Sequence, residues 1–417
     1  MQGEYKYKEK GSNVTHYKVL SFDGTNKSEA GGPQNIPYWN DSSPTALAAK
    51  RRALAKASPE AIKFWKESIQ KEPGRFDVSH LNEKQWQDRR NDSIGSSEAS
   101  QVTGDCPFEG CTPFDLYNRK IGNEPIFKPS PAEARERNFL FNYGHHMEPV
   151  LREWLQERCP NSKLIVDTNM YNDGQFPFLT ANLDGMLQLP DGTWIHIEFK
   201  TANIEAKQGY GDEDNPTIPL YYRRQLIHCQ HILNVWSSRI IVMFNRDTII
   251  QRVYERDLDV EMEQIKMERD FWESHVLPGI PPDLNYGPVS NVKKALRNYL
   301  GLADLSAPPV ALPAECADDV RELVAVNKAM TEVNARLRSL EKVRDEKIVN
   351  LLPYMNNATA ATLDNGEESY QITYKPQKAR TSVDLEVLKN DYPEVYAKVV
   401  TTPQEGPRPF KVKEVRR

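Results

Sequence analysis

The chain has 417 residues, of which 39% are hydrophobic and 27% are charged, and its formal net charge is −5 at pH 7. This length and composition allow a sizeable core and predict two or three domains. No apolar run reaches the length of a membrane span, and the N-terminus lacks the apolar centre of a signal peptide. We therefore expect a cytoplasmic protein that does not bind a membrane. The negative charge argues against a protein that coats nucleic acid with its whole surface, although a local basic channel stays compatible with it.

Cysteine usage argues against two further kinds of site. The cysteines are scattered without C-x-x-C spacing, so neither a zinc site nor a disulfide framework is expected. We expect buried free thiols at all five positions, which are Cys106, Cys111, Cys159, Cys229 and Cys316.

The N-terminal region is expected to begin without regular packing. Residues 1 to about 42 are polar and rich in Gly, Asn and Ser, and predict poor order apart from a strand at His16–Phe22. Ser43-Pro44 and Ser58-Pro59 each resemble an N-cap followed by proline at the first helical position, and predict two helices. The first helix is basic on much of its surface, which is either a solvated face or a DNA contact.

A polar helix is predicted over LNEKQWQDRRN, followed by the segment DSIGSSEASQVTG. In that segment Ser96 or Ser97 is expected to cap a short helix whose backbone N–H groups face outward, and such a terminus binds anions. Arg90 lies just upstream and could contact the same phosphate through two N–H groups. The alternative is an ordinary capped helix.

Two more helices are predicted before the centre of the chain. Thr112-Pro113 opens the first, and the second runs from about Pro131 to Arg158. In the second, Glu148 lies one turn beyond Gly144, where another element can approach closely. Glu148 is therefore either a surface residue or an acid that reaches a site built by other elements.

The stretch LTANLDGMLQLPDGTWIHIEFKT, from Leu179 to Thr201, predicts a β-hairpin. Apolar and polar residues alternate along both arms, and Pro-Asp-Gly supplies the turn. Asp184 lies on the first arm, and Glu198 and Lys200 lie two apart on the second, where they share a face. The turn brings Asp184 close to that face.

These three charges suggest a specific chemistry. Two carboxylates form a site for a hard cation such as Mg²⁺, and an adjacent ammonium can orient or deprotonate a water, which suits hydrolysis of a phosphodiester. The pattern D-(x)13-E-x-K resembles the PD-(D/E)XK nuclease core, although Leu183 stands where that motif has proline. The alternative is an exposed strand edge that carries an ordinary Glu-x-Lys pair.

The chain after the hairpin predicts more of the same domain. An acidic loop over Gly209–Pro219 precedes the helix LYYRRQLIHCQHILNVW, on which Tyr222 and Gln225 share a face. The strands SRIIVMFN and TIIQRVYER follow, joined at Arg246-Asp247, and then a charged helix from Leu258. We therefore expect an α/β or α+β domain with a mixed sheet.

Several of these blocks together resemble one family. IGSSEASQVTG, TPFDLYNRKIG, GHHMEPVLREW, ANLDGML, HIEFKTA and YYRRQLIHCQHIL, in that order, are similar to the YqaJ viral-recombinase family, to which lambda exonuclease belongs. The likeness covers about Arg90 to Pro282. It implies a restriction-endonuclease-like core and a Mg²⁺-dependent exonuclease, with Mn²⁺ as a substitute. Such an enzyme degrades the 5′-ended strand at double-stranded DNA ends and leaves a 3′ single-stranded tail for annealing.

The resemblance also assigns roles at the metal site. It implies that Asp184, Glu198 and Glu148 hold metal, that Lys200 activates or positions the attacking water, and that Gln225 completes the catalytic site.

It assigns DNA contacts and partners as well. Arg90 and Ser97 match the pair that receives the terminal 5′ phosphate, and Tyr222 lies on the helix that completes the site. The family further implies a homo-oligomer in the form of a ring trimer, a single-strand annealing partner, and action in the host cytoplasm if a virus encodes the protein. The long N-terminal extension departs from the compact members, and its helices could occupy a subunit interface.

The C-terminal part lies outside the strong resemblance. A Pro- and Ala-rich linker precedes a helix with apolar residues at spacings of three and four, from Leu323 to Leu340. Asn365-Gly366 predicts a hairpin, followed by the basic residues Lys375, Lys378 and Arg380, a short helix near Asp384–Asn390 and the basic tail RPFKVKEVRR. This arm either grips DNA or the annealing partner, or serves oligomerisation.

The expected organisation is an N-terminal extension over 1–80, a nuclease core over 81–285, a linker over 286–315 and an accessory region over 316–417. Other functions compatible with the sequence are a structure-selective endonuclease on the same core and a non-catalytic DNA-binding or assembly module. An iron-sulfur exonuclease would need clustered cysteines, which do not flank this core.

Overall fold

The computed structural model describes residues 3–8, 15–20, 42–127, 129–166, 169–245, 248–284, 287–377, 382–400 and 412, and only the backbone of 3–8 and 15–20. The chain divides into two compact units, Met1–Gly301 and Leu302–Arg417. The turn predicted at Arg246-Asp247, the residues Lys378 and Arg380, the tail beyond 400 apart from 412, and the first 41 residues apart from 3–8 and 15–20 lie outside the described residues.

The helices of the first unit mostly begin where local capping signals predict. Those that open at a proline are preceded by a serine or threonine whose hydroxyl accepts a backbone N–H from the first turn. Because such caps are local, the sequence predicts these starts correctly. The helices are α1 (Pro44–Lys56), α2 (Pro59–Ser68), α3 (Glu83–Asn91), α4 (Ala99–Val102), α5 (Pro113–Lys120), α6 (Pro131–Arg158), α7 (Leu220–Leu233), α8 (Leu258–Asp270) and α9 (Val289–Tyr299).

The strands of the first unit are β1 (Gly3–Lys8), β2 (Thr15–Leu20), β3 (Gly74–Asp77), β4 (Ile94–Gly95), β5 (Lys163–Ile165), β6 (Asn169–Asn172), β7 (Leu179–Asn182), β8 (Gly185–Gln188), β9 (Trp194–Ala202), β10 (Ser237–Phe244) and β11 (Thr248–Glu255). The larger sheet has the order β11-β10-β9-β8-β5 and is antiparallel except for the parallel pair β9–β10. A second sheet has the order β3-β6-β7-β4, and β1 pairs with β2. The predicted mixed-sheet α/β class is confirmed, and β2 lies where a strand was expected.

Strand β9 is at the centre of the larger sheet and has two faces of opposite character. The side chains of Ile195, Ile197 and Phe199 on one face are apolar and pack against α6. On its other face Glu198 meets α7, from which Gln225 reaches it. The buried residues of the α6 interface are Leu151, Leu155, Ile195, Ile197 and Phe199.

The predicted hairpin exists, but its first arm is shorter than expected. Strands β8 and β9 are antiparallel, with Gly185 opposite Ile197. The interpretation of the arm as one strand from Leu179 is wrong, because β7 ends at Asn182 and pairs within the smaller sheet. Asp184 therefore lies at the break between two sheets.

The N-terminal helices and α9 belong to the first unit and pack against its other elements. The hydroxyls of Ser43 and Thr193 are 2.6 Å apart, and Trp65 Nε1 donates a 3.0 Å hydrogen bond to Asn234 Oδ1. Tyr299 of α9 donates to a carboxylate oxygen of α5 at 3.2 Å. The compact unit thus runs to Gly301, and the linker expected from residue 286 begins only after α9.

The second unit contains α10 (Ala317–Met355), β12 (Ala360–Asp364), β13 (Ser369–Thr373), α11 (Leu385–Asp391) and α12 (Pro393–Val399). The hairpin predicted at Asn365-Gly366 is confirmed, and φ of Gly366 is +85°, a conformation that glycine adopts without strain. The apolar seam of α10 is exposed at residues such as Val333 and Leu337. Of the helices that the structure describes, none combines the length and apolarity needed to span a bilayer.

Candidate active site

The hairpin brings three predicted site residues together. Asp184 lies one residue before β8, and Glu198 and Lys200 lie on β9, with Lys200 Nζ in contact with Glu198 Oε1. The backbone N–H of Phe199 donates a 2.9 Å hydrogen bond to Asp184 Oδ2. This bond holds the Asp184 carboxylate against β9, beside the face that carries Glu198 and Lys200.

Glu198 is the most enclosed member of this group, with 2% of its surface exposed. Gln225 Nε2 of α7 donates a 2.6 Å hydrogen bond to Glu198 Oε1, the oxygen that Lys200 also contacts. The other oxygen, Oε2, is buried and has no hydrogen-bond partner within the described part of the chain. His196 Nε2 lies 3.7 Å from it and is likewise without a hydrogen-bond partner there.

The charges of this group strongly influence one another. Burial and the neighbouring charge of Glu198 raise the pKa of Asp184 to about 6. Burial alone would lower the pKa of Lys200, but the charges of Glu198 and Asp184 outweigh it and raise that pKa above its usual range. Burial lowers the pKa of His196 to about 4, so its ring is neutral at pH 7. The side chains of Asp184 and Glu198 therefore face one permanent positive charge, that of Lys200.

This arrangement fits a divalent cation with oxygen ligands. Glu198 Oε2 is a buried acceptor without a donor, and leaving such an oxygen unsatisfied is costly unless a donor or a cation binds it. Among the described residues, no group of three or more His, Cys, Asp and Glu side chains is close enough to hold an ion. A hard cation that keeps several waters, as Mg²⁺ does, suits two carboxylates at one site.

Glu148 lies on α6, the helix that packs on the opposite face of β9. Its carboxylate accepts from Arg152 Nη2 at 3.1 Å and lies 3.0 Å from His145 Nδ1. The close approach predicted at Gly144 is present, since a Cβ there would lie 3.8 Å from Thr201 Oγ1. The role of Glu148 as a third metal ligand stays a prediction.

Helix α7 supplies two further predicted residues. Tyr222 and Gln225 lie on one face of α7, as their spacing predicts, and that face covers the site. Lys200 Nζ lies 5.5 Å from the centroid of the Tyr222 ring, and the Tyr221 ring is 4.2 Å from that of Tyr222. An ammonium at this distance over an aromatic face is stabilised by the ring.

Arg90 and Ser97, the predicted phosphate pair, are in direct contact. Arg90 Nη2 donates a 3.0 Å hydrogen bond to Ser97 Oγ, and the guanidinium carbon lies 4.8 Å from the ring centroid of Trp86. The expectation that Ser96 or Ser97 caps a helix is wrong. Both lie in a 3₁₀ turn before the four-residue α4. The backbone N–H of Gly95 donates a hydrogen bond to Glu98 Oε2 instead.

The phosphate pair and the acids adjoin the same helix. The 3₁₀ turn that contains Ser97 packs on α7, which also supplies Gln225. Sequence reasoning missed His196, although its position two residues before Glu198 on β9 is a detectable signal because alternate residues of a strand share a face. It also missed the buried Glu98 and Lys120 beside Arg90, which meet only in the folded chain.

Comparison with protein families decides what this domain is. Residues 85–236 match the family model of the YqaJ-like viral recombinase domain. This segment is a YqaJ-like viral recombinase domain. The family match confirms the resemblance inferred from the sequence blocks and the assignment of the enzyme to the nucleases. The matched segment includes every position predicted for the site, and the roles of those residues stay predictions.

Solved structures with some similarity to the chain include two exonuclease structures. LHK-Exo in complex with dAMP is 15% identical, with a TM-score of 0.35, over 46% of this chain and 91% of that chain. The alkaline exonuclease LHK-Exo from Laribacter hongkongensis is 14% identical, with a TM-score of 0.36 and the same coverage. SSO0001 is 14% identical, with a TM-score of 0.26, over 51% of this chain and 82% of that chain.

No curated protein matches the chain. All three structural TM-scores are below 0.5, so the assignment of the YqaJ-like domain rests on the family match.

Proposed function

We propose that the YqaJ-like domain is a Mg²⁺-dependent exonuclease that degrades the 5′-ended strand from double-stranded DNA ends and leaves 3′ tails for strand annealing. The observation that carries the proposal is the meeting of Asp184, Glu198, Lys200 and Gln225 at one buried site. Mn²⁺ is expected to substitute for Mg²⁺ because both are hard cations that bind oxygen. A reaction on DNA ends is expected in the cytoplasm.

Each residue of the site has a role that its contacts support. Asp184 and Glu198 would hold the cation, the latter through its unpartnered Oε2. When bound, the cation supplies Lewis-acid polarisation of the scissile phosphate and a bound water of lowered pKa. Lys200 would donate hydrogen bonds to the attacking water or to a phosphate oxygen. Gln225 holds Glu198 Oε1, and so orients the free oxygen.

The proposed polarity depends on the Arg90–Ser97 pair. A guanidinium and a hydroxyl that already touch can together donate several hydrogen bonds to one phosphate, and a terminal phosphate offers more negative charge than an internal one. If this pair receives the 5′ phosphate of the strand being degraded, the acids that adjoin the same helix, α7, would meet that strand's scissile bond. Glu148 would add a third acid if the bound DNA moves α6 toward the cation.

The test is digestion of linear duplex DNA labelled at either the 5′ or the 3′ end, with and without a 5′ phosphate. We expect Mg²⁺-dependent release of 5′-labelled nucleotides, faster from phosphorylated ends, and persistence of the 3′-labelled strand as a single-stranded tail. Release of the 3′ label first would contradict the polarity, and degradation that is indifferent to EDTA would contradict the metal site.

A closed circular duplex distinguishes the alternatives in the same assay. An exonuclease leaves the circle intact, whereas a structure-selective endonuclease on the same core cuts it at a bubble or flap. A protein that digests neither circle nor linear duplex is a DNA-binding or assembly module.

Self-association is also part of the proposal. The mostly exposed seam of α10 has unbranched or γ-branched residues at one heptad position (Leu323, which is half-buried, Met330 and Leu337) and mostly β-branched residues at the other (Val326, Val333 and Leu340). In parallel coiled coils a β-branched residue at the second position shifts the preference from two strands to more. We therefore propose a homo-oligomer of more than two copies, such as a ring trimer, and sedimentation equilibrium measures the number of copies. We also propose a single-strand annealing protein as its partner.

A further inference from the structure

Lys120, at the end of α5, is a charged side chain with no exposed surface. Its Nζ donates a 2.8 Å hydrogen bond to the backbone carbonyl of Arg90 and a 2.7 Å hydrogen bond to Glu98 Oε2. A buried ammonium is costly unless its N–H groups and its charge are compensated. Lys120 is therefore a buried lysine held by specific hydrogen bonds, and its two partners indicate its role.

Its first partner, Glu98, is a carboxylate with 4% of its surface exposed. Glu98 Oε2 accepts the backbone N–H of Gly95 at 2.9 Å as well as the ammonium of Lys120. Arg119 Nη1 lies 3.4 Å from Glu98 Oε1, so a second cation already faces this carboxylate. Charge compensation of Glu98 thus does not explain why Lys120 also reaches Arg90.

Its second partner, the carbonyl of Arg90, lies in the last turn of α3 and also accepts the backbone N–H of Ser93, at 3.3 Å. Arg90 and Ser97 are carried by two different segments, the end of α3 and the 3₁₀ turn after β4. Lys120 bonds to both segments, to the first through Arg90 and to the second through Glu98, the residue after Ser97. One ammonium from α5 therefore links the two segments.

We propose that Lys120 is a positioning residue for the phosphate pair, which holds Arg90 and Ser97 at the separation where guanidinium and hydroxyl reach one terminal phosphate together. This inference rests on the proposed function, since it assumes that the pair reads a 5′ phosphate. Lys120 itself does not touch the DNA, because its ammonium is enclosed by its two partners.

The test compares kcat/KM on linear duplexes that carry a 5′ phosphate or a 5′ hydroxyl, for the full-length protein with Mg²⁺. In Lys120→Met the ratio of the two values falls by about tenfold, because a phosphate that loses one charged hydrogen bond loses roughly that much affinity. In the double variant Lys120→Met/Glu98→Gln, a neutral amide replaces the carboxylate that lost its cation. The amide oxygen can still accept a hydrogen bond from the backbone N–H of Gly95. We expect the double variant to recover melting temperature but not the ratio.

The outcomes separate a positioning role from a purely electrostatic one. Recovery of the ratio in the double variant would show that Lys120 only neutralises Glu98, and would overturn the proposal, as would an unchanged ratio in a folded Lys120→Met protein. Lys63→Met, on the exposed surface of α2, controls for the loss of one lysine and should keep the wild-type ratio. A wild-type protein that hydrolyses neither duplex overturns the proposed function itself, whereas an active wild type without a phosphate preference overturns the assignment of the pair.

Discussion

Gln225 of α7 donates a 2.6 Å hydrogen bond to Oε1 of Glu198 on β9. Lys200 contacts the same oxygen, so both donors meet one side of the carboxylate, and Oε2 is left without a hydrogen-bond partner among the described residues. A buried carboxylate with one satisfied and one open oxygen is ready to bind a cation on the open side. The helix that covers the sheet thus decides which oxygen of Glu198 is available.

Replacement of Lys200 should stop hydrolysis without unfolding the protein. In Lys200→Ala the group that orients water or phosphate is gone, and we expect the rate on linear duplex with Mg²⁺ to fall by at least about a hundredfold. Circular dichroism should show an unchanged fold. Lys207→Ala, an exposed lysine of the segment after β9, serves as the control and should retain the wild-type rate; a Lys200→Ala enzyme as active as this control would disprove the role.

Binding of the cation should be measurable without any activity assay. Mg²⁺ that binds the folded state alone adds about 2.7 kcal/mol of stability at a hundred times its Kd, and so should raise the melting temperature of the wild-type protein. Asp184→Asn and Glu198→Gln remove one ligand each and should abolish most of that rise. Glu205→Gln, an exposed acid outside the site, should respond to Mg²⁺ as the wild type does. An equal rise in melting temperature in all four proteins would show that Mg²⁺ binds at another place.

Substitution of Arg90 by lysine should reduce the preference for phosphorylated ends. Lysine keeps the charge but loses the forked donors that now reach Ser97 Oγ, so we expect the preference for 5′ phosphate over 5′ hydroxyl to fall by about tenfold. The measurement is the ratio of initial rates on the two duplexes. Arg135→Lys, on the exposed surface of α6, should leave the ratio intact, and an unchanged ratio in Arg90→Lys would argue against the pair.

The buried pair of Arg256 and Glu261 should contribute strongly to stability. Arg256 donates two hydrogen bonds to Glu261, at 2.6 and 2.7 Å, and His231 Nδ1 lies 2.8 Å from the same carboxylate. Glu261→Gln leaves a buried guanidinium without its counter-charge, so we expect the free energy of unfolding to fall by about 3 kcal/mol at pH 7. Glu263→Gln, an exposed acid on the same helix, should cost less than about 0.5 kcal/mol.

The same pair predicts a pH dependence. Burial opposes ionisation of Glu261, but the charge of Arg256 and its hydrogen bonds outweigh burial and lower the pKa of Glu261 to about 2, from 4.5 in a model compound. A lowered carboxylate pKa adds stability that is fully present above the unfolded value and is lost as the pH falls through the folded one. The stability difference between wild type and Glu261→Gln should therefore shrink between pH 4.5 and 2, as measured by urea unfolding; a constant difference would contradict the ion pair.

Much of the local structure could be predicted because its causes are local. Ser43, Ser58 and Thr112 each cap a helix through a hydroxyl only three residues from the N–H that it accepts, and the hairpin turn before β9 lies within a few residues. The spacing of Glu198 and Lys200 likewise places them on one face of any strand. These features depend on neighbours along the chain, so one sequence suffices to identify them.

Other features depend on which segments meet, and for these the sequence pattern is ambiguous. Alternation from Leu179 onward is the same for one long strand as for two strands in two sheets, and only the partners of β7 and β8 decide between them. The break places Asp184 at a sheet junction, where its carboxylate accepts from Phe199 rather than pointing along a continuous arm.

The sequence alone therefore determined most helix starts, the hairpin turn and the shared face of Glu198 and Lys200. The tertiary structure decided that α7 occupies one oxygen of Glu198, that α6 packs on the opposite face of β9, and that Lys120 links the two segments of the phosphate pair. The physical reason is that burial and long-range hydrogen bonds arise only when distant segments pack, and composition and spacing carry no record of those distances.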